Sequence, residues 1–425
     1  MDIAARVLTD LFFMFLAAKL AGALFEQIGQ PAVIGELLAG VVLGPYALGW
    51  IGVPNTDMIE ALGGTHQASE TLTVVYDVLA ELGVVVLLFA VGLETRLGDI
   101  LRVGVRAGVV AVAGVVAPFV LGFGLIQMWG GSTVEAMFMA TAMVATSVGI
   151  TARVLADLDQ LHSDEARIIL GAAVIDDILG MIVLAVVSGI GQSGSVSVMA
   201  VGLIGAQALG FTAFIALAGR HAVRRWSIHF ERLPVRNGPL VVAVLVMLGL
   251  AALSGSAGLA AIVGAFLAGM VLAECREQYE LESTILPIYE FLVPMFFVIT
   301  GSRVDWRLFL DSSMLSIALT VTGLAILGKL IGCSLGGIGM GWRSAAIIGV
   351  GMVPRGEVGL IVANVGRSLG AISTELFSTV VIMSVLTTLF VPTLLAALFG
   401  RGVRAHETTE DDIDYAIQDG RLPDL

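Results

Sequence analysis

The sequence predicts an all-α polytopic membrane protein of about thirteen transmembrane helices, and three observations carry that reading. Hydrophobic residues make up 57% of the chain and charged residues only 13%. The mean hydropathy is +0.97, outside the range of an ordinary soluble domain. Apolar runs bounded by Gly, Pro or charge clusters recur along the chain, many of them near the ~20 residues that a hydrocarbon core of ~30 Å demands. At 425 residues, a dozen or so such helices leave little for a separate soluble domain.

The first helix is expected near 4–26. It is not a signal peptide, because the start carries Asp2, lacks a basic n-region, and has Lys19 inside its apolar stretch. The second, near 31–48, places Glu36 by its start, where the positive end of the helix dipole favours an acid. Its Gly35, Gly40 and Gly44 suit close helix packing. An acidic loop around Asp57, Glu60 and Glu70 leads to helix three near 72–93, and helix four follows near 105–129. Helix five, near 133–156, gathers Thr146, Ser147 and Thr151 beside Gly149. Unwound, that stretch offers oxygens to a sodium-like ion; wound, its hydroxyls bond back to their own helix.

Helix six, near 165–191, holds Asp176 and Asp177 at its centre. Helices seven to ten are expected near 197–219, 238–254, 257–274 and 285–301. Helix eleven, near 310–336, contains Lys329, one of two lysines against 20 arginines. Helix twelve, near 343–366, carries Gly351, Pro354, Arg355, Gly356 and Glu357. Its proline removes a backbone donor and its glycines loosen the helix, so free carbonyls and amides are expected at depth. Helix thirteen runs near 374–400, and an acidic tail over 401–425 holds Glu407, Glu410, Asp411, Asp412 and Asp414. Solvated acids of this kind account for most of the net charge of −13, so no partner, nucleic acid included, follows from it. Two cysteines, Cys275 and Cys333, form neither a disulfide framework nor a metal site.

Arginine sets the orientation. One set of alternate loops holds Arg96, Arg102, Arg106, Arg153, Arg167, Arg220, Arg224, Arg225, Arg232, Arg236, Arg276, Arg343, Arg401 and Arg404. The other holds chiefly Arg303, Arg307 and Arg367. The positive-inside rule makes the first set cytoplasmic, with the N-terminus outside and the C-terminus inside. Helices two to six and nine to thirteen then enter from opposite sides as two inverted five-helix repeats, a common plan of secondary transporters.

Ionisable residues at bilayer depth are costly and mark function by default. Neighbours on a helix project about 100° apart, so one aspartate of the doublet faces a cavity and the other a neighbouring helix. Lys329 is a candidate counter-charge, and unlike an arginine it can lose its proton when buried. The competing reading has it snorkel to the headgroups. Arg355 and Glu357 suggest a buried ion-pair network around the aspartates, with a purely structural role as the alternative. His162, in the loop before helix six, has the titration range of a pH sensor, though a solvated side chain is the plainer reading.

Taken in order, these stretches resemble the monovalent cation/proton antiporter family, in its bacterial sodium/proton exchanger branch with thirteen helices. The matching segments are Gly29-Gln30-Pro31-Ala32-Val33-Ile34-Gly35-Glu36, Leu88-Phe89-Ala90-Val91-Gly92-Leu93-Glu94, Thr146-Ser147-Val148-Gly149-Ile150, Ala173-Val174-Ile175-Asp176-Asp177, Lys329, and Pro354-Arg355-Gly356-Glu357. The resemblance implies a core domain over about 105–191 and 310–400, with helices five and twelve broken and crossed. It implies a dimerisation scaffold over about 4–93 and 238–301, joined by a linker helix at 197–219. It also implies Asp177 as the principal ion- and proton-binding carboxylate, Asp176 paired with Lys329, a homodimer, an elevator-like movement and a bacterial inner-membrane location. Family members with two aspartates here tend to exchange sodium. Related potassium efflux systems often differ at the first aspartate and append a nucleotide-binding domain, which is not expected past Arg404.

The expected function is therefore exchange of sodium for protons, the two competing for Asp176 and Asp177, with no resident cofactor and no enzymatic step. Lithium and potassium are alternative cargoes, and a potassium/proton exchanger is the closest rival. An intramembrane aspartyl protease needs acids brought together from separate helices, and a channel usually shows acidic rings or a carbonyl filter.

Overall fold

The computed structural model describes residues 3–95, 97–193, 198–215, 237–257, 259–273, 279–310 and 312–400. Among them the chain is helical, with no strand. The first part runs α1 (Ile3–Gln27), α2 (Ala32–Leu43), α3 (Thr56–Leu62), α4 (Thr65–Glu94), α5 (Leu97–Met128), α6 (Thr133–Val144), α7 (Val148–Asp157) and α8 (Asp164–Ser193). The rest runs α9 (Val198–Phe214), α10 (Gly238–Ser256), α11 (Ala261–Leu272), α12 (Leu281–Ser302), α13 (Ser312–Ser334), α14 (Trp342–Gly351), α15 (Glu357–Ser368) and α16 (Thr374–Phe399). Counting α6–α7 and α14–α15 as one interrupted helix each, and setting the short α3 aside, these are the thirteen expected membrane helices. Arg96, Arg220, Arg224, Arg225, Arg232, Arg236, Arg276, Cys275 and the 401–425 tail lie outside the described residues.

Boundaries moved where local chemistry overrides hydropathy. Helix two ends at Leu43, and the amides of Trp50 and Ile51 fold back onto its carbonyl. The acidic segment expected as loop contains α3, with Asn55 accepting from the Met58 amide at 3.0 Å and Gly63 leaving it at φ 78°. Glu70 accordingly sits in α4, not in a loop. Helix α11 is 12 residues among the described ones, about 18 Å at 1.5 Å per residue, shorter than the 257–274 expected.

Packing sorts the helices into two groups. Helix α4 packs on α11 and α12, α2 on α1 and α12, and α10 on α11. Helix α5 packs on α6, α8 and α13, while α13 meets α14 and α16, and α15 meets α6 and α16. The short α7 lies at the seam, touching α2 and α4 on one side and α8 and α16 on the other. Close approach within the first group depends on glycine: a Cβ on Gly40 would fall 2.1 Å from the Val298 carbonyl oxygen, and one on Gly301 would fall 2.0 Å from that of Leu37. Gly35 is equally enclosed, 2.3 Å from the Ala21 carbonyl oxygen, so the small residues of helix two serve packing as expected.

Candidate functional site

The two interruptions build the centre of the second group. Residues 145–147 separate α6 from α7, and 352–356 separate α14 from α15. Non-helical backbone is tolerated at membrane depth only where protein encloses it, and the most apolar stretch of Thr133–Asp157 is wholly buried. The two breaks satisfy each other. The Ser147 amide donates to the Pro354 carbonyl at 2.8 Å, and the Thr151 hydroxyl donates to that of Gly351 at 2.6 Å. Thr146 reaches the Met352 carbonyl at 3.5 Å. The hydroxyls of Thr146 and Thr151 thus donate across the crossing and not back to their own helix.

Arg355 is fully buried in the same break. Its Nη1 donates to the carbonyls of Val353 at 2.8 Å and Met352 at 3.2 Å, satisfying backbone that the break leaves free. Its backbone is pinned to α16, the amide donating to Thr387 Oγ1 at 3.1 Å and the carbonyl accepting from Thr388 at 3.0 Å. Nε and Nη2 have no hydrogen-bond partner among the described residues. Glu357 opens α15, but its side chain lies outside the described residues, so the expected pairing with Arg355 is not on view.

Asp176 and Asp177 project from the middle of α8 in different directions. Asp176 is 2% exposed and its Oδ1 lies 2.9 Å from Nζ of Lys329. Lys329 has no exposure at all, so it points into the protein and does not snorkel. Gly114 of α5 makes room for it: a Cβ there would lie 3.4 Å from Nζ and 2.6 Å from Cys333 Sγ. Asp177 is half-buried and lines a narrow cleft with Leu88, Val148, Leu170, Ala173, Val174, Ile262, Val263 and Phe266. Those residues come from α4 and α11 on one side and from α7 and α8 on the other. The cleft therefore sits at the seam between the two groups.

The sequence of this described region matches the family model for the transmembrane sodium/hydrogen exchanger over residues 15–400. The chain belongs to that family. It is 37% identical to the high-affinity Na+/H+ antiporter NhaS3 of Synechocystis, over 96% of this chain and 93% of that one. It is 34% identical to the Na+/H+-K+ antiporter GerN of Bacillus cereus, over 93% and 97% respectively. The fold is similar to that of the sodium proton antiporter MjNhaP1 from Methanocaldococcus jannaschii, with a TM-score of 0.64, 17% identity, and coverage of 94% of this chain and 98% of that one. The relatives are transporters and not enzymes, which removes the aspartyl protease reading. This sodium/hydrogen exchanger family member accordingly has an integral membrane fold without catalytic chemistry.

Two buried charge clusters of this exchanger-family chain escaped the sequence reading. Arg153, counted above among the cytoplasmic loop arginines, lies inside α7 with its side chain 10% exposed, facing Glu36 of α2, which is 4% exposed. It sits one turn before the helix end, so a loop assignment by sequence position misplaced it. Asp10 of α1 is fully buried, 2.9 Å from Arg6 and hydrogen-bonded by Tyr76. The signal available was the same one that exposed the aspartate doublet, an ionisable residue inside an apolar run. His162 stands in the solvent-facing loop, 58% exposed and 4.0 Å from Glu94. No cluster of three metal-ligating side chains occurs among the described residues.

Proposed function

We propose that this chain exchanges sodium for protons across the membrane by alternating access, with Asp176 and Asp177 forming the seat that cation and protons occupy by turns. The observation that carries the reading is the asymmetry of the doublet: Asp176 is locked to Lys329 at 2.9 Å inside the protein, while Asp177 opens onto the cleft at the seam. A carboxylate at a moving seam can be presented to one compartment and then the other. Because cation-loaded and protonated forms differ in charge and contacts, each biases the two orientations differently, and that difference couples the gradients. Arg355, Thr146 and Ser147 hold the crossing behind the doublet, and Glu357 stands at the start of α15 beside it.

In this reading α5–α8 and α13–α16 form a core that moves in elevator fashion against a scaffold of α1–α4 and α10–α12, with α9 as the linker. The scaffold faces a second copy in a homodimer, the five-helix units are inverted repeats, and the protein lies in a bacterial inner membrane with its N-terminus outside. The names of the relatives support sodium as cargo. That of GerN also supports a second reading in which potassium is carried. Proteoliposomes with an internal pH dye decide between them: sodium, lithium and potassium are added in turn and fluorescence dequenching is followed. A response to potassium alone replaces sodium with potassium, and no response to any cation ends the exchange reading.

A further inference from the structure

Arg153 is the only described cation joining α7 to the first helix group through more than one partner. Its Nη2 lies 3.6 Å from Glu36 Oε1 on α2. Its Nη1 donates to the Tyr289 hydroxyl of α12 at 2.9 Å, with the guanidinium 5.4 Å from the centre of that ring. On its own helix, Nε lies 2.9 Å from Asp157 Oδ1 but is not aligned to donate a hydrogen bond. Two of its three partners thus sit across the seam, and the third travels with it.

That division has a mechanical consequence. Val148, at the other end of α7, lines the Asp177 cleft, so a movement of the core against the scaffold, as in the exchange reading above, would carry α7 past α2 and α12. Such a slide breaks the contacts to Glu36 and Tyr289. A buried guanidinium stripped of partners is very costly, but Asp157 stays within reach and can rotate into alignment. Glu36, left behind, faces Lys19 of α1, the other cation that acts on it, which is itself paired with Glu290 of α12.

We propose that Arg153 is a positioning residue of the transport cycle: a clasp that holds α7 against α2 and α12 in the orientation seen, and passes to Asp157 when the helix moves. It never touches the cargo. The inference rests on the exchange reading above, since it needs the two helix groups to move relative to each other.

The clasp predicts opposite effects from its two sides. Tyr289→Phe removes a contact made only in the held orientation and should raise maximal sodium–proton exchange in proteoliposomes by about threefold to tenfold, within the worth of a hydrogen bond to a charged group. Asp157→Asn removes the partner that receives Arg153 after release and should lower it by a similar factor. Loss of structure alone would lower both. Independently, hydrogen exchange of the purified protein should quicken over residues 148–157 in Tyr289→Phe and stay unchanged over 312–334. Both variants slowing transport, neither changing it, or unaltered exchange over α7 would overturn the clasp. Wild-type liposomes silent to every cation would instead remove the exchange reading, and the hydrogen-exchange comparison would still decide the clasp.

Discussion

Lys329 and Asp176 meet 2.9 Å apart with neither side chain more than 1% exposed, while Asp177, the next residue, lines the cleft between the helix groups. One peptide unit separates a lysine-paired carboxylate from a cleft-facing one, because successive helix positions diverge by about 100°. Asp177→Asn should therefore abolish cation-dependent proton flux and leave the fold intact. Flux measured in liposomes beside a thermal unfolding curve in detergent checks both halves. Retained flux would remove Asp177 from the centre of the proposal.

Removing the partner of a buried ion should tell a different story. Lys329→Ala leaves the Asp176 carboxylate enclosed without its cation, and breaking a buried pair in this way costs about 3–5 kcal/mol. The expected result is a clear fall in melting temperature. Asp176→Asn in the same chain, which removes the stranded charge, should recover part of it. A double-mutant cycle gives the coupling directly. Additive effects of the two substitutions would mean that the pair contributes nothing to stability.

The difference between what could be read in advance and what could not follows from where each signal lives. Asp176, Asp177, Lys329 and the Pro354 break each violate a local rule: a charge in an apolar run, or a proline inside a helix. One stretch of chain suffices to see them. The break at 145–147 has no proline, and only hydroxyls beside Gly149 marked it. Its backbone opens because the Pro354 carbonyl is there to receive the Ser147 amide, a partner some 200 residues away in sequence. Arg153 and Glu36 are harder still, since each sits within a turn or so of a helix end and reads alone as an ordinary terminal charge. Their meeting is set by how α7 lies against α2, which no single-helix pattern contains.

Arg355 offers a test of the crossing itself. Its guanidinium donates to two carbonyls of the 352–356 break, and hydrogen bonds from a charged group are worth about 1.5–3 kcal/mol each. Arg355→Ala should loosen residues 352–356, seen as faster amide exchange there, and should stop transport. Arg355→Lys keeps the charge but loses the planar fork, so it should fall between the two. A lysine variant indistinguishable from the wild type would show that charge alone matters at this position.

The contact between Gly356 and Ser147 provides a second-site test. A Cβ on Gly356 would fall 2.5 Å from Ser147 Oγ and 2.7 Å from Ser147 Cβ, well inside van der Waals contact. Gly356→Ala should thus push the two breaks apart and reduce transport at least tenfold, within the ~1–3 kcal/mol typical of overpacking. Both clashing atoms belong to the Ser147 side chain, so Ser147→Gly in the same chain should restore much of the rate, whereas Ser147→Ala, which keeps Cβ, should not. Rescue by glycine and not by alanine is a signature that only direct contact of the two interruptions produces. Equal rescue by both, or by neither, would separate the crossing drawn here from the one that operates during transport.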